Sequence, residues 1–145
     1  MSIEEAEALV KTENNPKKIF IDVYTDWCGW CKKMDQVTFN NPEVSDYMNA
    51  NFYMVKFNAE SKDDVFVKGT TFSFVPSGRR GYHELAVALT QGKLSYPTVV
   101  FLDPKLNMIT PLPGFRTAQP FLQVAKFIGD NVYQHTSWED YIKSD

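Results

Sequence analysis

The stretch Tyr-Thr-Asp-Trp-Cys-Gly-Trp-Cys-Lys, residues 24–32, contains the two cysteines of the chain, Cys28 and Cys31. They form a Cys-x-x-Cys motif directly after residues 19–24, an apolar run whose β-branched and aromatic residues predict a buried strand. The helix formers after the motif predict that Cys28 lies at the first turn of a helix. Because so short a loop adds little stability when it is closed, the pair is better explained by chemistry than by structure.

The position of Cys28 at a helix start favours its thiolate, because unpaired backbone N–H groups and the helix dipole stabilise negative charge there. We therefore predict that Cys28 is an exposed nucleophile with a lowered pKa. Cys31, one turn further along, is predicted to be the shielded thiol that closes the disulfide. Lys32 and Lys33 can add positive potential.

Two other uses of a Cys-x-x-Cys motif have to be weighed. A structural zinc site needs four ligands, and the remaining candidates, His83 and His135, are far apart in sequence, so we expect no metal site. A purely structural disulfide is disfavoured by the placement of the motif at a helix start. The two histidines are expected to be surface or helix-capping residues.

The periodicity outside the motif predicts one α/β domain, residues 1–145, with a mixed central sheet flanked by helices. Asn41 and Pro42 predict a new helix start, as N-cap and first helical residue. The remaining predicted elements are helices over 3–10, 83–89 and 121–128, strands over 52–58, 98–102 and 108–112, a β-hairpin around residues 65–75 and a final turn over 138–142.

The composition indicates a compact chain with a substantial core, since 43% of the 145 residues are hydrophobic and 14% aromatic. Fifteen basic and eighteen acidic residues give a net charge of -3, which disfavours nucleic acid and anionic lipid as partners. No apolar stretch is long enough to cross a bilayer, so membrane insertion is not expected. We expect a cytoplasmic protein if Met1 is the natural start, and an exported one if a signal peptide has been removed.

The motif and its surroundings resemble the thioredoxin superfamily, in particular its thioredoxin-related and disulfide-isomerase-like branch. Asp22, six residues before Cys28, stands where thioredoxins carry a buried acid, and Lys56 stands where they carry the lysine that pairs with it. Tyr96-Pro97-Thr98 resembles their cis-proline loop, and Gly114 resembles the glycine before their last helix. The resemblance covers about residues 17–131.

This resemblance implies a thioredoxin-like fold, with the hairpin around residues 65–75 as an insertion. It also implies a thiol–disulfide oxidoreductase in which Asp22 accepts a proton, although an ion pair between Asp22 and Lys56 is the alternative role. The residues implied to bind substrate are Trp27, Gly29, Trp30, Tyr96 and Pro97. No cofactor is implied beyond the redox-active disulfide. Gly-Trp between the cysteines and Tyr96 before the proline depart from the usual thioredoxin residues.

The partners implied by the resemblance are protein thiols and disulfides, together with an electron donor that is either similar to thioredoxin reductase or bound to a membrane. We expect the protein to be a monomer. A reductant, an oxidant and an isomerase are all compatible with the motif. A different class of function is also compatible: a redox-inert adaptor that binds a partner through Trp30, Tyr96 and the segment from Phe72 to Phe74.

Overall fold

The computed structural model describes residues 1–143, which form six α-helices and eight strands. The helices are α1 (Ile3–Thr12), α2 (Gly29–Met34), α3 (Pro42–Asn51), α4 (Glu84–Leu89), α5 (Ala118–Gly129) and α6 (Trp138–Lys143). The strands are β1 (Lys18–Tyr24), β2 (Phe52–Asn58), β3 (Val65–Val67), β4 (Thr70–Phe72), β5 (Phe74–Val75), β6 (Tyr82–His83), β7 (Thr98–Leu102) and β8 (Met108–Pro113).

The central sheet has four strands in the order β2-β1-β7-β8. Strand β1 pairs in parallel with β2 and antiparallel with β7, so the sheet is mixed as predicted. Helices α2 and α3 form the crossover that parallel pairing of β1 and β2 requires. Strand β8 pairs antiparallel with β7 at the edge, which confirms the prediction for residues 108–112.

Strand β1 is buried on both faces because it lies between two hydrophobic clusters. Ile19, Ile21 and Val23 pack into the cluster that contains residues of α1 and α4, whereas Phe20 packs with α3 and α5. Side chains alternate between the two faces of a strand, so Asp22 points to the same side as Phe20. A carboxylate is thereby placed within an otherwise apolar strand.

The helix starts follow from local capping chemistry. The Ser2 side chain accepts a hydrogen bond from the Glu5 backbone N–H, and the Glu5 side chain accepts one from the Ser2 N–H, which completes a capping box before α1. Asn41 caps α3 and Pro42 is its first residue, as predicted. Between α2 and α3, residues Asp35–Phe39 form a π-helical turn. The helical segment after the cysteines therefore consists of two α-helices, as predicted, with this turn between them.

The segment from residue 61 to residue 95 contains the hairpin that was predicted as an insertion, and the whole segment is called the insertion below. It forms two small sheets. Strands β3 and β4 form the hairpin predicted around Lys68 and Gly69. The prediction extended this hairpin to residue 75, but Phe74 and Val75 pair with β6 as a separate two-stranded sheet.

At the other end of the chain, α6 packs Trp138 against Phe127 of α5, which confirms the predicted final turn.

Within residues 1–143, no helix combines the length and the apolar character that crossing a membrane requires.

Candidate active site

Cys28 and Cys31 are joined in a disulfide at the start of α2, with their Cα atoms 5.3 Å apart. Cys28 is the N-cap residue of this helix, and its Sγ accepts a hydrogen bond from the backbone N–H of Cys31 at 3.1 Å. The Cys28 N–H in turn donates to the Thr25 carbonyl oxygen at 3.3 Å. The same backbone N–H can stabilise a thiolate on Cys28, because it already points at that sulfur.

The two cysteines do not differ in burial, which corrects one expectation from the sequence. Cys28 is 4% exposed and Cys31 is 5% exposed, so Cys28 is not the accessible member of the pair in the disulfide form. Trp27 precedes Cys28 and Trp30 precedes Cys31, and these two side chains carry much of the exposed surface of the motif. What distinguishes Cys28 is therefore the hydrogen bond to its sulfur and not its accessible area.

The tryptophans of the motif are both exposed, as the predicted contact role requires: Trp27 is 51% and Trp30 is 61% exposed. Trp30 contacts the Phe115 ring, with centroids 5.1 Å apart. Trp27 lies edge-on to the Tyr96 ring at 6.0 Å. Exposed aromatic side chains on both sides of a disulfide form a surface suited to contact with another polypeptide.

The loop before β7 contains a cis peptide bond between Tyr96 and Pro97, which confirms the isomer that the resemblance implied. The Pro97 carbonyl oxygen accepts a hydrogen bond from the Gly114 N–H at 2.9 Å. Gly114 has a φ of +97°, a conformation that a residue with a Cβ atom rarely adopts. The bond to Pro97 and the positive φ explain why glycine stands between β8 and the segment that carries Phe115.

Asp22 is buried, and its carboxyl group borders a cavity of about 260 Å³ that Asp35 and Lys56 also line. The pKa of Asp22 is raised from its ordinary value of 3.8 to about 7. Burial is the largest cause, the negative charge of Asp35 also raises this pKa, and the positive charge of Lys56 lowers it. A carboxyl group with a pKa near 7 can take up and release a proton at neutral pH.

Lys56 forms an ion pair with Asp35, at 2.9 Å between Nζ and Oδ2. The expected pair between Lys56 and Asp22 is therefore wrong, although the two residues are register partners on β2 and β1. The reason is the position of Asp35 at the end of α2, which brings a second carboxylate to the same lysine. Burial alone lowers the pKa of Lys56, but the hydrogen bond and charge of Asp35 outweigh it and raise this pKa.

Asp35 was not among the residues selected from the sequence, but its position carried a signal. It lies four residues after Cys31, one helical turn further along. The tryptophans of the motif contact three further residues, Arg80, Glu60 and Phe115. These residues are distant from the motif in sequence, so no local pattern indicated them.

The two histidines have different environments. His83 caps α4, as expected, but it is fully buried and not a surface residue. Its Nδ1 accepts from the Leu85 N–H at 3.1 Å, and its Nε2 lies 2.8 Å from the Asp63 carbonyl oxygen. His135 is exposed, as expected. Within residues 1–143, no three His, Cys, Asp or Glu side chains form a cluster that could hold a metal ion.

Comparison with known proteins assigns the family. The family model described as "Protein of unknown function, DUF255", Thioredox_DsbH, matches residues 3–128. The chain belongs to this DUF255 family. A thioredoxin-fold protein from Helicobacter pylori superposes on the structure with a TM-score of 0.66 at 23% identity, covering 97% of this chain and 92% of that one. The thioredoxin-like fold and the resemblance of the motif to this superfamily are thereby confirmed.

Two curated relatives show the breadth of this DUF255 similarity. The chain is 36% identical over 114 residues to the Thiol:disulfide interchange protein DsbD of Photorhabdus laumondii, which is 77% of this chain and 16% of that protein. It is 31% identical over 111 residues to Spermatogenesis-associated protein 20 of Mus musculus, which is 77% of this chain and 14% of that protein. The chain therefore spans a small part of the length of these curated relatives.

Proposed function

We propose that the protein is a thiol–disulfide oxidoreductase that exchanges disulfides with other polypeptides at Cys28 and Cys31. The observation that carries this proposal is the hydrogen bond from the Cys31 N–H to the Cys28 sulfur, within a pair that forms a disulfide. Similarity to thiol:disulfide interchange proteins supports it. The relatives are several times longer than this chain, so their partners are not carried over with the chemistry.

The exchange proceeds in two steps that balance sulfur for sulfur. The Cys28 thiolate attacks a disulfide of the partner, a mixed disulfide forms, and one partner sulfur leaves as a thiolate. The Cys31 thiolate then attacks the Cys28 sulfur, which closes the Cys28–Cys31 disulfide and releases the second partner sulfur. Two electrons pass to the partner, and its two sulfurs take up two protons. An external dithiol donor has to restore the Cys28 and Cys31 thiols.

Asp22 accepts the proton that Cys31 loses before its attack. Its pKa of about 7 suits this role, because the carboxylate form is available at neutral pH and still basic enough to bind a proton. Asp35 and Lys56 border the same cavity and adjust the charge around Asp22. The proton then leaves by way of this cavity.

Reduction of two disulfides of different size tests the proposal. The reduced protein is mixed with insulin or with hydroxyethyl disulfide, and the remaining protein thiols are counted by mass spectrometry after acid quenching and alkylation. We expect the wild type to lose two thiols with both compounds. In a Cys28→Ser, Cys31→Ser double variant, which has no thiol, we expect the disulfides of both compounds to stay intact. A protein that binds insulin but leaves both disulfides intact is the adaptor that the sequence also allowed, and this result contradicts an oxidoreductase.

A further inference from the structure

A second recess lies beside Trp27, between the insertion and the loop before Pro97. Its volume is about 350 Å³. The side chains that matter for its chemistry are Trp27, Glu60, Arg80, Tyr82, Leu94 and Tyr96. A recess of this size can take one or two amino-acid side chains, and it begins at the residue next to Cys28.

Trp27 forms one wall of this recess and is held from three sides. Its Nε1–H donates to both carboxylate oxygens of Glu60, at 3.0 and 3.1 Å. The guanidinium carbon of Arg80 lies 4.3 Å from the centre of the indole ring, within the range of a cation–π contact. The Tyr96 ring, almost perpendicular to the indole at an interplanar angle of 84°, closes the third side.

The insertion is fixed to the active-site motif by backbone hydrogen bonds. The Ala59 N–H donates to the Tyr24 carbonyl oxygen at 2.8 Å, and the His83 N–H donates to the Ala59 carbonyl oxygen at 2.8 Å. Gly81, next to Arg80, has a φ of +90°, and a Cβ atom there would meet the Phe74 ring and the Val75 carbonyl oxygen at 2.5 Å. Arg80 is therefore positioned by the fold of the insertion.

The charges of the recess are not equivalent. Both carboxylate oxygens of Glu60 already accept the indole N–H. Within residues 1–143, the Arg80 guanidinium forms neither an ion pair nor a hydrogen bond, so its N–H donors are available to another molecule. A carboxylate is the acceptor that suits a guanidinium best, because it can accept two parallel hydrogen bonds.

We propose that this recess binds an acidic side chain of the polypeptide whose disulfide is exchanged, with the carboxylate on Arg80 and the side-chain stem against Trp27 and Tyr96. The inference rests on the proposed function, since it names the substrate that the same site prefers. It assigns to the insertion a role in selecting partners by the charge beside their cysteines.

The test compares three two-cysteine disulfide peptides that differ only in the residue after the first cysteine: Glu, Gln or Lys. The reduced protein is mixed with each peptide, and the second-order rate constant is obtained from thiols counted after acid quenching. For the wild type we expect the Glu peptide to react about three to ten times faster than the Gln peptide, and the Lys peptide to be the slowest. In Arg80→Gln the preference for the Glu peptide over the Gln peptide is lost, whereas Glu60, which stays in the recess, does not disfavour the Lys peptide.

Arg79→Gln is the matched control, because it removes the same charge from the neighbouring position, which does not line the recess. It is expected to keep the preference for Glu. A wild type without any preference, a preference that persists in Arg80→Gln, or an equal loss in Arg79→Gln would each overturn the proposed recess.

Hydroxyethyl disulfide separates the two proposals, since it has no side chain to place in the recess. We expect the wild type and Arg79→Gln to reduce it at the same rate. If the wild type fails to reduce it, the oxidoreductase proposal fails and the recess proposal with it. If the wild type reduces it but shows no charge preference among the peptides, only the recess proposal fails.

Discussion

The site combines an open aromatic surface with a charged group around the buried Asp22, and the two are built in different ways. The aromatic surface, formed by Trp27, Trp30, Tyr96 and Phe115, is assembled from three separate parts of the chain. The charged group, formed by Asp22, Asp35 and Lys56, comes from residues 22–56 on β1, the π-helical turn and β2. Under the proposed function the open surface contacts the partner, and Asp22 takes up the proton.

The two tryptophans extend this comparison within a single motif. They are three residues apart and similarly exposed, but Trp27 is held by Glu60, Arg80 and Tyr96 while Trp30 has one ring contact with Phe115. Trp27 therefore acts as a fixed wall, and Trp30 as a contact that can adjust to its partner.

The largest expected effect is that of replacing either cysteine of the disulfide. Cys28→Ser and Cys31→Ser each lower the steady-state rate of disulfide reduction by more than about 1,000-fold, because each sulfur is needed for a complete exchange. Only Cys31→Ser accumulates a mixed disulfide, which is measured by non-reducing gel electrophoresis with insulin. Accumulation in Cys28→Ser instead would reverse the roles of the two sulfurs.

The rate of alkylation by iodoacetamide checks the same assignment in the reduced wild type. We expect Cys28 to react faster than Cys31, because the Cys31 N–H stabilises its thiolate. Since the two residues are equally buried in the disulfide form, equal rates would show that this hydrogen bond does not lower the pKa of Cys28.

Asp22, the buried acid of the charged group, is expected to control how the free energy of unfolding depends on pH. With a pKa of about 7 in the folded state against 3.8 ordinarily, Asp22 binds a proton more tightly in the folded than in the unfolded protein. Its contribution to stability is therefore full below about pH 4 and is lost as the pH rises to about 7. Asp22→Asn removes this loss, so the variant gains about 2 to 3 kcal/mol relative to wild type between about pH 5 and pH 8.

Urea unfolding of the disulfide form at the two pH values measures this gain, and Asp46→Asn, which changes an exposed acid on α3, is the control variant. Lys56 remains paired with Asp35 in Asp22→Asn, so no new unpaired lysine offsets the effect. The same variant is expected to reduce insulin more slowly at neutral pH. A gain that does not change with pH would assign Asp22 a structural role only.

The open surface is expected to affect partners and not the chemistry itself. Trp30→Ala removes a ring that is 61% exposed, so the free energy of unfolding changes little. The loss of an aromatic contact weakens reduction of insulin by about five- to thirtyfold in kcat/KM, which corresponds to about 1 to 2 kcal/mol. The rate with hydroxyethyl disulfide stays unchanged. An equal loss with both compounds would place Trp30 in the redox chemistry.

The smallest expected effect is that of Gly29→Ala. No atom lies within 4 Å of a Cβ atom built at Gly29, and the residue has an ordinary helical conformation. Its unfolding free energy is therefore expected to change by less than about 0.5 kcal/mol, whereas Gly114→Ala, with its φ of +97°, loses about 1 to 2 kcal/mol. Slower reduction of insulin by Gly29→Ala, without loss of stability, would show that the partner approaches the backbone there.

Local sequence patterns were sufficient for most of the fold. The apolar run of β1, the Asn41 and Pro42 helix start, and the Lys68-Gly69 turn are decided by residues close in sequence, so their positions could be predicted. The Cys28 motif at a helix start belongs to the same group, because N-cap geometry needs one turn of chain only. These elements required no knowledge of contacts between distant residues.

Only the tertiary structure decided which side chains meet across the site. An ion pair of Lys56 with Asp22 was the alternative role considered for Asp22, but Lys56 pairs with Asp35 instead. Which of two nearby carboxylates a lysine reaches is decided by packing and not by residue type. Arg80 reaches Trp27 because the insertion folds back through Ala59 and Gly81, across more than fifty residues of chain. The sequence by itself determined the reactive pair and its helix, since these depend on neighbours, whereas the surroundings of Trp27 and the pKa of Asp22 depend on packing and burial that arise only when the chain has folded.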